Sequence, residues 1–124
     1  MERFQATTHA TIRDTSTGLE WRTDYATDLS WDEAMTYAAK LGDGWRLPTI
    51  EELVTLIDFK QVAPASEFPD QPSEWFWSSS LPRAASTSYA WYVHFNNGSV
   101  DFYDKTRRSH ARCVRGGPSA TPEE

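Results

Sequence analysis

Ser30-Trp31-Asp32-Glu33 and Thr49-Ile50-Glu51-Glu52 constrain this chain more than any other stretch. Each has the form of a capping box. A Ser or Thr hydroxyl takes the amide three residues on, and the Glu side chain reaches back to the cap amide. Two such starts close together demand two short helices. Behind Ser30, the residues Ala34, Tyr37, Ala38 and Leu41 recur at helical spacing, and Gly42 follows as a residue able to take positive φ. A helix over 31–41 is predicted, its alanines suited to close packing on a sheet. Pro48 breaks the segment before Thr49, and Leu53, Val54, Leu56 and Ile57 supply an apolar face for a second helix over 50–57.

The remainder reads as short strands and turns. Residues 1–8 read as a loose lead-in. Thr11-Ile12-Arg13-Asp14 suits a strand, Thr15 to Gly18 a turn, and Leu19-Glu20-Trp21 a half-buried second strand. From Asp58 to Glu74, Pro64, Pro69 and Pro72 interrupt any periodicity, so a long irregular loop is expected. Trp75-Phe76-Trp77 begins a strand, and Leu81 to Ser88 is a polar loop. Tyr89 to Phe95 alternates, with Tyr89, Trp91, Val93 and Phe95 expected on the core face and Ala90, Tyr92 and His94 outside. Asn97-Gly98 signals a hairpin, with Val100 and Phe102 returning toward the core. A two-residue loop there would set His94 opposite Asp101 and Tyr92 opposite Tyr103; a three-residue loop with a bulge would shift that register. The last strand is expected near 110–115, and residues 116–124 as a disordered tail. The fold class is α+β: two helices packed on a twisted, mainly antiparallel sheet with long irregular loops, in one domain over residues 9–115.

A chain of 124 residues is one domain. Its hydrophobic fraction of 39% is modest, but six Trp, five Tyr and six Phe allow a compact core. No apolar run reaches the length of a bilayer span, and Met1-Glu2-Arg3-Phe4 lacks the apolar region of a signal peptide. The expectation is therefore no membrane insertion, with the compartment left open. A net charge of −6 argues against nucleic-acid binding. The positive charge is nonetheless concentrated: Lys105, Arg107, Arg108, His110, Arg112 and Arg115 crowd the last structured stretch. Cys113 is the single cysteine, which excludes an intrachain disulfide and a thiolate zinc cluster.

Several short motifs stand in a fixed order: Thr17-Gly18-Leu19-Glu20-Trp21, Gly44-Trp45-Arg46-Leu47-Pro48-Thr49, Phe76-Trp77-Ser78-Ser79-Ser80, Ala90-Trp91-Tyr92-Val93-His94-Phe95-Asn96-Asn97-Gly98 and Arg112-Cys113-Val114-Arg115. Together they resemble the Lcl C-terminal domain family, over roughly residues 9–115. That family takes its name from the tip of a collagen-like bacterial adhesin. The resemblance implies a C-type-lectin-like fold, shared distantly with the formylglycine-generating enzymes. It implies non-enzymatic, adhesin-like recognition of polysaccharide, sulfated polymers included, by a surface-displayed tip that trimerises. It also implies a disulfide between a cysteine of the first helix and the cysteine of Arg-Cys-Val-Arg, yet that helix reads Tyr37-Ala38-Ala39 here. The alternative function is a protein-interaction or display module, on a phage tail or secretion apparatus, with no sugar ligand. A third class, an enzyme related to the formylglycine generators, would need a reactive cysteine beyond Cys113.

The candidate ligand-binding residues are Trp75, Tyr92, His94, Asp101, Tyr103, Lys105, Arg107 and Arg108. Trp75, Tyr92 and Tyr103, with Tyr89, offer ring faces for a sugar; the three cations offer charge for an anion. His94 with Asp101 is either half of an acid–base unit or an ordinary cross-strand pair. Trp21, Trp45, Trp77 and Trp91 are assigned to the core, and Cys113 to a buried thiol. No catalytic residue, metal ligand or cofactor is expected. Asp58, Glu67, Asp70 and Glu74 carry oxygens that suit calcium, but their spacing matches no known loop, and Gln71-Pro72-Ser73 lacks the carboxylate that lectin triplets carry.

Overall fold

The computed structural model describes residues 2–8, 10–83 and 87–116. It is α+β, with nine strands β1 (Phe4–Thr8), β2 (Thr11–Asp14), β3 (Leu19–Arg22), β4 (Ala26–Leu29), β5 (Trp75–Trp77), β6 (Tyr89–His94), β7 (Ser99–Asp104), β8 (Ser109–Ala111) and β9 (Val114–Gly116). The helices α1 (Trp31–Leu41) and α2 (Ile50–Val54) lie between β4 and β5. Two sheets replace the single sheet expected: β1-β2-β3-β9, and β4-β8-β5-β6-β7. All pairings are antiparallel except β5 with β8, which run parallel.

Both capping boxes form. Ser30 Oγ accepts the Glu33 amide at 3.3 Å and Glu33 Oε1 accepts the Ser30 amide at 3.0 Å. Thr49 Oγ1 accepts from the Glu52 amide at 3.1 Å, and Glu52 Oε1 from the Thr49 amide at 2.9 Å. Glu52 also takes the Arg46 guanidinium in a two-pronged contact at 2.7 and 2.8 Å. That one carboxylate explains why the Gly44-to-Thr49 motif runs on to Glu52. The second helix stops at Val54, short of the predicted 57. The amides of Thr55, Leu56 and Ile57 bond three residues back, and the Thr55 hydroxyl binds the Glu52 carbonyl at 2.6 Å. The last turn tightens while Leu56 stays in the core.

Other expectations are corrected. The lead-in is a strand: Phe4 to Thr8 pair with β2, and Arg3 anchors their start on Asp14 at 2.8 and 2.9 Å. β4 was not anticipated, because Ala-Thr-Asp-Leu carries no strand pattern. The last predicted strand splits at Arg112 and Cys113. Ser109–Ala111 joins one sheet and Val114–Gly116 the other, so the chain changes sheets there. Arg112 drives the break by turning inward, where Nη1 donates to the carbonyls of Arg22 and Thr23, both at 2.7 Å. Gly116, expected in the tail, is the end of β9; residues 117–124 lie outside the described residues.

The hairpin register also differs. Tyr92 stands opposite Asp101 and His94 opposite Ser99. The cause is Phe95. Its amide is taken by the Glu74 carbonyl and its carbonyl by the Ala65 amide, so it leaves the ladder. The turn then spans four residues, closed by the Gly98 amide on the His94 carbonyl at 2.8 Å. The expected faces change as well. Phe76, Val93 and Phe95 pack with Trp21, Leu53 and Leu56, while Trp77, Ala90 and Tyr92 pack with Ala34 and Ala38 of α1. The second sheet therefore buries apolar chains on both faces, and strict alternation fails: Tyr92 is 3% exposed and Val100 42%.

Candidate ligand-binding site

β5, β6 and β7 lie side by side, so residues of one parity form a continuous row. Trp75 faces His94, Trp77 faces Tyr92, and Tyr103 faces Ala90. Rings stack along that row. The Trp75 indole lies between His94, with centroids 4.2 Å apart and planes at 14°, and Tyr92, at 4.1 Å and 22°. Tyr92 is further stacked on Trp77 at 5.2 Å and Tyr103 at 6.1 Å. The expected sugar platform is thus closed on itself. Both faces of Trp75 are occupied, and Tyr92, expected to be exposed, is buried; that burial also pushes its phenol pKa up. Tyr103, 48% exposed, is the ring of the row that still meets solvent broadly.

The three candidate cations have different fates. Arg108 is committed: Nε donates to Asp28 Oδ1 at 2.9 Å, and Nη2 to the Asp28 carbonyl at 2.6 Å and to Glu33 Oε1 at 3.0 Å. It clamps the positive-φ residue Asp28 of β4 to the first turn of α1. Lys105 Nζ sits 4.2 Å from the centroid of the Trp31 ring, a cation–π contact that partly buries it. Arg107 is exposed, with its guanidinium carbon 4.8 Å from the Tyr103 centroid, 5.9 Å from Trp75 and 6.0 Å from Tyr92. Among the described residues no carboxylate forms a salt bridge with it. It stands at the Tyr103 end of the aromatic row.

The His94–Asp101 pair is not formed. Asp101 Oδ1 accepts its neighbour's amide, that of Phe102, at 2.8 Å, and His94 Nδ1 is buried with no partner among the described residues. The register shift of two residues removes the acid–base candidate. The acidic loop residues do not converge either: Asp58 accepts from the Lys60 amide and from Gln61 Nε2, both at 2.9 Å. Among the described residues no three His, Cys, Asp or Glu side chains gather around a common point. Cys113 is fully buried, as expected, and burial pushes its thiol up to about 12. Trp21, Trp45 and Trp77 are core residues; Trp91 is only half-buried, with its ring edge against Phe102 at 5.0 Å.

Two features escaped the sequence. A cleft of about 350 Å³ opens beside Tyr103, lined also by Tyr89, Phe102 and Asp104. It wraps the outer strand β7, and no motif marks it. The second feature is Arg112, 1% exposed, with its guanidinium carbon 4.6 Å from Phe68, 5.2 Å from Tyr25 and 5.9 Å from Phe76. Burial lowers its pKa to about 10, which still leaves it cationic at neutral pH.

No helix among the described residues is long and apolar enough to cross a membrane. No curated protein matches this chain significantly. The sequence model of the Lcl C-terminal domain matches residues 10–115. That stretch runs from the start of β2 into β9, leaving out β1, and holds both capping boxes, the stacked row, Arg107 and Arg112. With most of its length matched, this chain belongs to the Lcl C-terminal domain family.

Proposed function

We propose that this domain is a non-enzymatic binding module that recognises anionic polysaccharide, sulfated polymers included, on a C-type-lectin-like scaffold, as the tip of a surface-displayed adhesin. One observation carries this reading: Arg107 stands exposed at the end of a stacked aromatic row, and among the described residues no carboxylate forms a salt bridge with it. Arginine offers a planar fork of donors that matches sulfate and carboxylate groups. Tyr103 beside it gives a ring edge and part of a face to the apolar side of a sugar. The stacked rings behind hold both in place, so little conformational freedom is lost on binding. The absence of chemistry in this reading rests on Cys113, whose burial and raised pKa disfavour a thiolate nucleophile.

The test is a glycan array probed with the whole domain at low and at physiological salt, with and without a calcium chelator. Acidic and sulfated glycans should dominate the signal. The signal should fall as salt rises, because charge contacts are screened over a Debye length of ~8 Å at physiological ionic strength. Neutral glycans binding as well as sulfated ones, or no glycan bound at all, would contradict the proposal. Loss of binding with the chelator would move the site away from Arg107.

A further inference from the structure

Among the described residues four strands form the edges of the two sheets, and they differ. β1 carries an irregularity between Ala6 and Thr8, and β4 one between Ala26 and Leu29. β9 is three residues long, and Val114 is already bridged on both sides, by Trp21 and by Arg46. Bulges and short lengths of this kind blunt an edge against further pairing. β7 has neither. Six residues, Ser99 to Asp104, pair with β6 in one unbroken register.

The direction of its backbone groups follows from three contacts. Lys105 donates its amide to Ser88 across the ladder, so odd-numbered residues of this strand bond toward β6. The Phe102 amide instead meets Asp101 Oδ1 at 2.8 Å, and the Asp104 carbonyl meets the Arg107 amide at 2.9 Å. The amides and carbonyls of Val100, Phe102 and Asp104 therefore point to the free edge. Beside that edge lies the cleft of about 350 Å³ formed by Tyr89, Phe102, Tyr103 and Asp104. One face of β7 thus presents Val100, Phe102 and Asp104, and the other presents Asp101 and Tyr103.

We propose that β7 is a strand-addition edge, taking an extended segment of a partner polypeptide in which basic and apolar side chains alternate. Backbone pairing supplies the attachment, as in other sheet-extending complexes, and the flanking side chains supply the choice of sequence. Apolar residues of the incoming strand lie beside Val100 and Phe102, and one of them enters the cleft. A basic residue on the other face meets Asp101, at the end of that face away from Tyr103 and Arg107. In the unpartnered protein the Asp101 carboxylate covers the Phe102 amide; a basic side chain draws it off and frees that amide. A second copy of this chain is a poor occupant, because pairing β7 with itself sets the aspartates of both copies along one seam, where like charges repel. This inference shares Tyr103 with the polysaccharide reading but does not rest on it, since it uses the outer backbone of β7 rather than the guanidinium of Arg107.

The experiment is selection from a displayed library of randomised eight-residue peptides on the whole domain, followed by synthesis of an enriched peptide. Enriched sequences should alternate Lys or Arg with Val, Ile or Phe. The synthetic peptide should slow hydrogen exchange at the amides of Val100 and Asp104. Val100→Pro removes an outward amide at a position where an edge strand tolerates proline, and should weaken binding at least tenfold. A peptide N-methylated at alternate residues should lose binding to the same extent, with the domain untouched. No enrichment, equal binding by Val100→Pro and by the methylated peptide, or protection elsewhere in the domain would overturn the proposal. Slow exchange at those amides that grows with protein concentration without peptide would also overturn it, in favour of a second copy.

Discussion

Arg112 and Arg107 sit in matching company and in opposite solvent environments. Each guanidinium lies against three aromatic rings at 4.6–6.0 Å, and neither has a carboxylate partner among the described residues. Arg112 is sealed between the sheets, with two backbone carbonyls bonded to Nη1. Arg107 lies open at the end of the stacked row. Burial of a cation costs free energy that only a structural return offsets; exposure leaves the same group available to a ligand. Local chemistry therefore does not separate a buried keystone from an exposed cation here. Solvent access and the carbonyl partners do.

The largest expected effect is on Arg112. Truncation in Arg112→Ala leaves a cavity under Phe68 and Tyr25 and strands two carbonyls, so stability should fall by about 3–5 kcal/mol in urea unfolding. A loss under about 1 kcal/mol would erase the contrast. Next is Glu52→Gln, which breaks the two-pronged contact with Arg46 while keeping an amide oxygen for the Thr49 cap. A loss of about 2 kcal/mol is expected. Acid should act through the same class of contact. At Asp14 and Glu52, burial by itself would raise the carboxyl pKa. Hydrogen bonds from Arg3 and Ser16 to the first, and from Arg46 and Thr49 to the second, outweigh it, so both sit below their usual range. Their contribution is complete above about pH 4–5, the range of the unfolded groups, and is lost as pH falls through the lower folded values. Midpoint temperature should be flat near neutrality and drop below about pH 4; a flat profile to strongly acid pH would contradict these contacts. Arg108→Ala removes an exposed clamp on Asp28 and Glu33 and should cost less than about 1 kcal/mol.

The helices were legible because capping is local: Ser30, Glu33, Thr49 and Glu52 carry their own geometry within four residues. The family was legible because its motifs keep their order. The hairpin was legible in existence but not in register. Asn97-Gly98 signalled a turn, but Phe95 leaves the ladder through bonds to Glu74 and Ala65, which are distant in sequence. The candidate site was legible in part. Trp75, Tyr92, Tyr103 and Arg107 do come together, yet nothing in their spacing says that the rings would stack on one another rather than face a ligand. The division of Lys105, Arg107 and Arg108 into one packed cation, one with no salt bridge among the described residues and one clamped cation depends on Trp31, Asp28 and Glu33, far away in the chain.

The measurement that tests the account most directly is titration of a heparin-like polymer at low salt into the wild type and into Arg107→Ala, with thermal unfolding of both. The account predicts that the wild type binds and that binding weakens as salt rises. It predicts that Arg107→Ala binds at least tenfold more weakly, with a midpoint temperature within a degree or two of the wild type, because a surface change away from any clamp costs within about 0.5 kcal/mol. No binding by the wild type, equal binding by the variant, or a variant as destabilised as Arg112→Ala would contradict it.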